Sequence, residues 1–450
     1  MTPHFSSAAT AVLLSLLAGC ASLSPDGGSA DVQALVGSNA LAGTARVQAA
    51  PTEGSTQAVA ELLARPLDAE AAVRIALVNS PRMQEAFATL QLSDAERVQA
   101  SSLPNPVFAF SRLVERNGVE FDRALSFSVL GLFTLPWQAR WAGQRHEVAK
   151  LEAAQGVLAL AADTRRAWVR AVAAQQSVVY LRDARDAAEA GAELAHRMAQ
   201  VGNWNALQRT REQLLLADAQ AQLARAEQQA TACREQLTRL LGLTGDAATT
   251  YALPDRLPAL PARPLADDDV QARALRERLD VRAAEAQRAA TADSLGLTRA
   301  TRVVSALEIG GVRNTMADGS TERGFAIALP IPLFDWGQAR SAQAEARYLR
   351  SAAHVRDTGV RAASEARESL LRWRSAYAVA RRYQDEVLPL RRQVNDEMVL
   401  RYNGMLSSVW ELLGETRVTV LAVNAAIESQ RDFWLADTDL QLAITSGSAS

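Results

Sequence analysis

The side chains that carry most protein chemistry are few and scattered in this chain. Its four histidines, His4, His146, His196 and His354, form no metal-ligand pair at helix spacing. No phosphate-binding glycine loop and no nucleophile elbow occurs. An enzyme is therefore not expected, and neither a resident metal nor a cofactor is implied. The only thiols are Cys20 and Cys233.

Cys20 stands in a setting that gives it a chemistry. It follows an apolar run over 8–17 that has the length of a signal-peptide core and is too short to span a bilayer. Leu17-Ala18-Gly19-Cys20 resembles the bacterial lipobox, in which small residues admit the processing peptidase and the thiol takes a diacylglycerol before cleavage. The expectation is a signal peptide over 1–19 and a covalent N-terminal lipid on Cys20. Ala21, where inner-membrane retention would resemble Asp, favours sorting to the outer membrane. An ordinary secreted protein with a chance cysteine is the competing reading, and the stretch before the apolar run holds no Lys or Arg. Several acyl chains are needed for a stable hold on a membrane. Cys233 is then left alone, which rules out a disulfide framework and predicts a buried, inert thiol.

A formal net charge of −2 argues against nucleic-acid binding. Beyond the leader no stretch reaches the ~18 apolar residues of a membrane-spanning helix, which excludes an inner-membrane pump. A β-type crossing is not excluded, because its strands are short and only alternately apolar.

The elements that follow are written twice. A Gly-, Ser- and Ala-rich segment over 20–66 reads as a flexible or surface-draped tether. After it, Ala76-Leu77 with Pro81-Arg82-Met83 aligns with Ala274-Leu275 and Leu279-Asp280-Val281. Pro136-Trp137-Gln138-Ala139-Arg140 aligns with Trp336-Gly337-Gln338-Ala339-Arg340. The offset stays at roughly 200 residues, a duplicated unit and not a solenoid of short repeats. The first repeat covers 67–243, a Pro-rich connector 244–266, and the second repeat 267–447.

Each repeat predicts a helix, two strands and a very long helix that turns back. In the first, Asp68 caps a helix running to about residue 101, and Leu103-Pro104-Asn105-Pro106 stops it. Strands are expected over 107–114 and 124–130 around a turn at Asn117-Gly118. In the second, a helix over 269–300 precedes strands over 303–312 and 324–329, with Asp318-Gly319 between them. Leu125, Phe127 and Val129 alternate with Ala124, Ser126 and Ser128; Phe325, Ile327 and Leu329 alternate with Ala326 and Ala328. One face would meet lipid and the other a wet lumen, although a soluble hairpin packed on a helix would alternate in the same way. Four strands cannot close a barrel with an interior, whereas three chains supplying twelve can.

The long helices are expected from Trp137 to about Val201 and from Trp336 to about Tyr402, with Pro389 inside the second. At 1.5 Å per residue each is roughly 100 Å long and needs a coiled-coil partner. An approximate stripe of Leu151, Ala154, Leu158, Ala161, Trp168, Val172 and Val179, broken by Arg165 and Gln175, supplies the seam.

With these motifs in order, the chain resembles the TolC and OprM family of outer-membrane efflux proteins over about 67–444. The carrying motifs are Leu103-Pro104-Asn105-Pro106, Leu329-Pro330-Ile331-Pro332-Leu333-Phe334 and Arg401-Tyr402-Asn403-Gly404-Met405. The resemblance implies a mainly α fold with a small β part, assembled as a homotrimer: a twelve-stranded β-barrel continued by a long periplasmic α-helical coiled-coil barrel. It also implies a passive outer-membrane channel served by a periplasmic membrane-fusion adaptor and an inner-membrane pump of the resistance-nodulation-division type. The adaptor would dock on the helix reversals, here Val201, Gly202 and Asn203 and then Asn403, Gly404 and Met405. The family's periplasmic gate often carries acidic residues past the second reversal, where this chain has Glu411 and Glu415 beside Trp410; a solvated helix face is the other reading of that pair. A coiled-coil structural lipoprotein without a pore is the alternative for the whole chain, and it leaves the paired strands without a role.

Overall fold

The computed structural model describes residues 22–37, 41–43, 53–116, 118–265, 269–303 and 306–447; Cys20 and Asn117 lie outside the described residues. Two helices, Ser29–Val36 (α1) and Glu53–Leu63 (α2), precede the repeats. The first repeat then runs through Ala69–Asn79 (α3), Pro81–Ala100 (α4), Val107–Glu115 (β1), Gly118–Ser128 (β2), Val129–Gln200 (α5) and Ala206–Leu241 (α6). After the short helix Asp246–Thr250 (α7), the second repeat follows with Val270–Glu277 (α8), Leu279–Ala300 (α9), Glu308–Thr315 (β3) and Thr321–Ala328 (β4). It ends in Gln338–Arg382 (α10), a π-helical turn Tyr383–Val387, Leu388–Asn403 (α11) and Val409–Thr445 (α12).

The chain forms two compact units. One contains the sheet with the helical segments 86–153 and 280–360; the other contains 32–85, 154–279 and the chain from Arg361 onward. No described helix is long and apolar enough to cross a membrane.

The duplication is visible in single hydrogen bonds. Ser80 and Arg278 both leave their helices with extended backbone, ψ 129 and 128, and donate their N–H groups to Ala76 and Ala274 at 2.9 and 3.1 Å. Each helix expected to be continuous, over 69–101 and 269–300, is therefore two. In the first repeat Pro81 pushes Ser80 out of the helical region. In the second no proline follows, and the buried Arg278 side chain is held instead by Glu365 at 2.8 Å and the Ala443 carbonyl at 3.2 Å. Asp68 caps α3 as expected, accepting from the Ala71 N–H at 2.7 Å.

The strand limits differ from the sequence reading. β1 gains Glu115, and β2 starts at Gly118 and ends at Ser128, so Val129 and Leu130 are helical. β3 starts at Glu308 and β4 covers Thr321–Ala328, leaving Leu329 outside. Pairing explains this: the hairpin register runs without a break from Val107↔Ser126 to Glu115↔Gly118, carrying the strands into the turn. The Ser128 hydroxyl then accepts from the Gly131 N–H at 3.2 Å and opens the next helix.

Two prolines act differently from each other. Pro136 lies inside α5, which begins before it and not after it; it removes one ladder donor without ending the helix. Pro389 follows the π-helical turn, in which Leu388 donates to the Tyr383 carbonyl five residues back. That wider turn accommodates a ring that would otherwise crowd the carbonyl four residues earlier.

Of the seam residues, Leu151, Ala154, Leu158, Ala161, Trp168 and Val172 are buried, whereas Val179 is half exposed. Trp168 donates its indole N–H to the Leu67 carbonyl at 2.6 Å. Arg165, which breaks the stripe, donates to the Leu41 carbonyl at 3.1 Å. Leu41 is fully buried with Val32, Val36 and Ala42 nearby in sequence. Of the two readings of this segment, flexible or surface-draped, the contacts at Leu41 fit the second, because a few apolar residues suffice to seat it on neighbouring helices.

The connector is fastened mainly by its carbonyls, since its prolines supply no N–H. Pro258 accepts from the Trp434 indole at 3.1 Å, Pro261 from the Tyr377 hydroxyl at 3.0 Å, and Ala252 from the Leu67 N–H at 2.8 Å. Beneath it Trp373, Tyr377, Phe433 and Trp434 form an aromatic cluster with centroid spacings of 5.1–5.7 Å. Trp373 donates to Asp437 at 2.8 Å, and burial raises the pKa of that carboxyl. Phe433→Ala should cost about 3–5 kcal/mol and Phe433→Leu less than half of that, read from denaturant midpoints in detergent. A loss under about 1 kcal/mol for the alanine variant would show that the cluster is not a packed core.

Candidate functional site: the sheet faces and the helix reversals

The four strands form one antiparallel sheet in the order β1-β2-β3-β4. Among the described residues the outer sides of β1 and β4 have no strand partner. The register sets Phe127, Ile309 and Ile327 in one row, and Leu125, Gly311 and Phe325 in the next. Phe108 lies beside Leu125, so the apolar residues of both hairpins share a face. The other face carries Ala109, Ser111, Ala124, Ser126, Gly310, Ala326 and Ala328 in registered positions. The alternation read from sequence therefore continues across all four strands except at Val107, Leu113 and Val312, which fall on the small-residue face, and Val129 and Leu329 are no longer part of it.

Charge is also sorted by face. Arg112, Arg123, Arg313 and Arg323 share the apolar face, while Glu120, Asp122, Glu308 and Glu322 share the small-residue face. Asp122 accepts from the Ser111 hydroxyl at 2.8 Å on that second face. Beyond the sheet ends the chain exposes Phe133, Trp137, Ile331, Leu333, Phe334 and Trp336, with Phe334 99% accessible.

In the other unit the two helix reversals are built differently. At the first, Gly202 has φ 77 and its neighbour Asn203 donates to the Met198 carbonyl at 3.0 Å, a helix end that favours glycine. Asn205 then opens α6 with a reciprocal capping box to Gln208. At the second, Gly404 has φ −79, which any residue adopts, and the left-handed position is Met405, at φ 58. Glycine serves a reversal because it takes positive φ at little cost, but here the helix continues to Asn403 and one residue further, which shifts the left-handed geometry from Gly404 onto the methionine. Val201, Met405 and Leu406 are exposed, Met405 to 94%. Behind them Trp204 and Trp410 stack at 4.5 Å with planes 16° apart, tying the two reversals together.

The acidic residues after the second reversal are engaged. Glu411 closes the capping box of α12, accepting from the Ser408 N–H at 2.9 Å, and that bond lowers its pKa. Glu415 pairs with Arg391 at 3.3 Å. Sequence reading passed over Glu212, which is 2% exposed, lies against Gly191 and Leu413, and leaves one carboxylate oxygen without a partner. Burial raises its pKa, against the opposing influence of Arg417. Nothing in the local sequence distinguishes it from the solvated acids around it. Cys233 is buried, with the Gln229 amide 3.3 Å from its sulfur. Among the described residues no group of three or more His, Cys, Asp or Glu could hold a metal ion.

Residues 270–403 match the family model of the outer membrane efflux protein. Over that stretch, most of the second repeat, the chain is similar to outer membrane efflux proteins. No curated protein sequence matches the chain. Among solved structures, a membrane protein from Pseudomonas aeruginosa superposes with TM-score 0.71 at 20% identity, over 84% of this chain and 93% of that one. The CmeC outer membrane channel of Campylobacter jejuni gives 0.70 at 16%, over 92% and 93%. The open MtrE outer membrane channel of Neisseria gonorrhoeae gives 0.64 at 18%, over 84% and 88%. The fold of this chain, mainly helical with a small sheet, is the fold of those channels.

The backbone at the reversals yields a test. Met405→Gly should stabilise the protein by about 1 kcal/mol, because a left-handed residue with a Cβ is strained. Gly202→Ala should destabilise it by about 1 kcal/mol, and Gly404→Ala by less than either, as read by thermal unfolding in detergent. Equal effects at 404 and 405 would contradict the assignment of the left-handed position.

Proposed function

We propose that this protein is the outer-membrane channel subunit of a tripartite efflux system, conducting substrate passively from a periplasmic adaptor and an inner-membrane pump to the exterior. The observation that carries the proposal is the four-stranded sheet, apolar on one face and small or polar on the other, with both edges open. Placed in lipid, such a sheet satisfies its edges by joining those of two further copies, giving twelve strands around a wet lumen. The exposed Phe133, Trp137, Phe334 and Trp336 suit the aromatic girdle at a membrane boundary. A coiled-coil scaffold without a pore would give this sheet no use.

The remaining assignments belong to the same reading. Cys20 carries the lipid that holds the N-terminus at the membrane. The reversals at Val201, Gly202 and Asn203, and at Asn403, Gly404 and Met405, present apolar tips to a periplasmic membrane-fusion adaptor, with a pump of the resistance-nodulation-division type beyond it. Glu411 serves its helix cap first, so Glu415 is the better candidate for a charge at the periplasmic gate: a change in its pairing with Arg391 would free it.

Conductance in planar bilayers tests the proposal. The purified protein should form pores. Phe127→Arg, on the apolar face, should block assembly at a cost of roughly 2–4 kcal/mol per chain near the bilayer midplane. Ser126→Arg should assemble and change conductance. Pores absent from the wild type, or equal effects of the two variants, would refute the channel or the facing of its strands.

A further inference from the structure

We propose that Arg123, Arg313 and Arg323 form a binding row for the phosphate-bearing headgroup of an outer-leaflet lipid, whose acyl chains lie on the adjoining apolar band. This rests on the channel reading above: the apolar face meets lipid, and with the helices that adjoin the strand ends at 107, 128, 308 and 328 on the periplasmic side, the hairpin turns at the other strand ends face the exterior.

The three arginines are direct cross-strand neighbours, Arg123↔Arg313 and Arg313↔Arg323. Adjacent strands lie about 4.8 Å apart, so the row spans roughly 10 Å of backbone. Arg112 adds a fourth guanidinium on the same face, one row nearer the turns. Like charges directly opposite each other destabilise a sheet, and here three stand side by side. Among the described residues none of the three pairs with a carboxylate, and the sheet's acids, Glu120, Asp122, Glu308 and Glu322, are on the opposite face. Arg123 sits over the Phe121 ring at 5.6 Å, which orients it without neutralising it.

An arginine row unbalanced from within calls for an anion, and its position says what kind. On one side lie the turns; on the other, on the same face, lie Phe108, Leu125, Phe325 and then Phe127, Ile309, Ile327. Cationic and apolar surfaces adjoining in this way complement an amphiphile with an anionic head. Charge on a lipid-facing strand costs little near the bilayer interface, which places the row at headgroup depth. Arginine in place of lysine suits phosphate, which the guanidinium fork binds through paired hydrogen bonds.

The test uses the full-length protein purified from outer membranes, with diphosphorylated lipid A as the probe and native mass spectrometry counting bound lipid. Wild type should bind lipid A at least about 30-fold tighter than Arg123→Gln/Arg313→Gln/Arg323→Gln. Glu120→Gln/Glu322→Gln, on the other face, should match wild type. If the triple variant does not assemble, Arg313→Gln alone should weaken binding about fivefold. Equal binding by wild type and the arginine variants would overturn the proposal while leaving the channel reading intact. Displacement of the lipid by excess inorganic phosphate would make the row a free-anion site and overturn the lipid assignment. A wild-type protein that never reaches the outer membrane would remove the channel reading and this proposal with it.

Discussion

A β-sheet in hydrocarbon has no water to satisfy its edge groups, and each unpaired backbone donor or acceptor there costs several kcal/mol. One chain of this protein offers four strands with β1 and β4 open, half of what the smallest closed barrels use. On the channel reading proposed above, the shortage is met by other copies. The sheet is fitted to such closure on its small-residue face, where a Cβ on Gly310 would come within 2.7 Å of the Leu125 carbonyl. The aromatic residues Phe108, Phe110, Phe121, Phe127 and Phe325 all lie on the opposite face.

The helical parts answer a different demand, that of building long walls from little hydrophobic area. Ala154, Ala161, Ala162, Ala171, Ala362 and Ala366 are buried, and small residues of this kind permit close approach while contributing modestly. Larger buried side chains gather instead where the connector crosses the aromatic cluster around Phe433, and at the buried Arg278 and Trp168. The reversals need little packing, since capping boxes at Asn205 and Ser408 and the Trp204–Trp410 stack fix them locally. Val201, Met405 and Leu406 stay exposed at the tips.

Much of this was legible in the sequence because duplication and alternation are periodic signals. The pairing of Ala76 with Ala274, the apolar face of Leu125, Phe127, Phe325 and Ile327, and the glycine turn at 202 all follow from local pattern. The misreadings share a cause: tertiary context decided between local options of similar energy. Arg278 breaks a helix without a proline because its side chain is held by Glu365. Met405 takes the geometry that glycine would have taken at 404. Glu212, the Trp204–Trp410 contact and the sorting of arginines to one face required knowledge of which strands and helices are neighbours, which spacing alone does not give.

The central claim is that the open edges of the sheet are closed by two further copies of the chain. The mass of the complex extracted intact from the outer membrane measures this directly. Three chains per complex, separating to single chains only on heating, is the result this account requires. A monomer that conducts, or a stable dimer, would leave strand edges unpaired in lipid and contradict it.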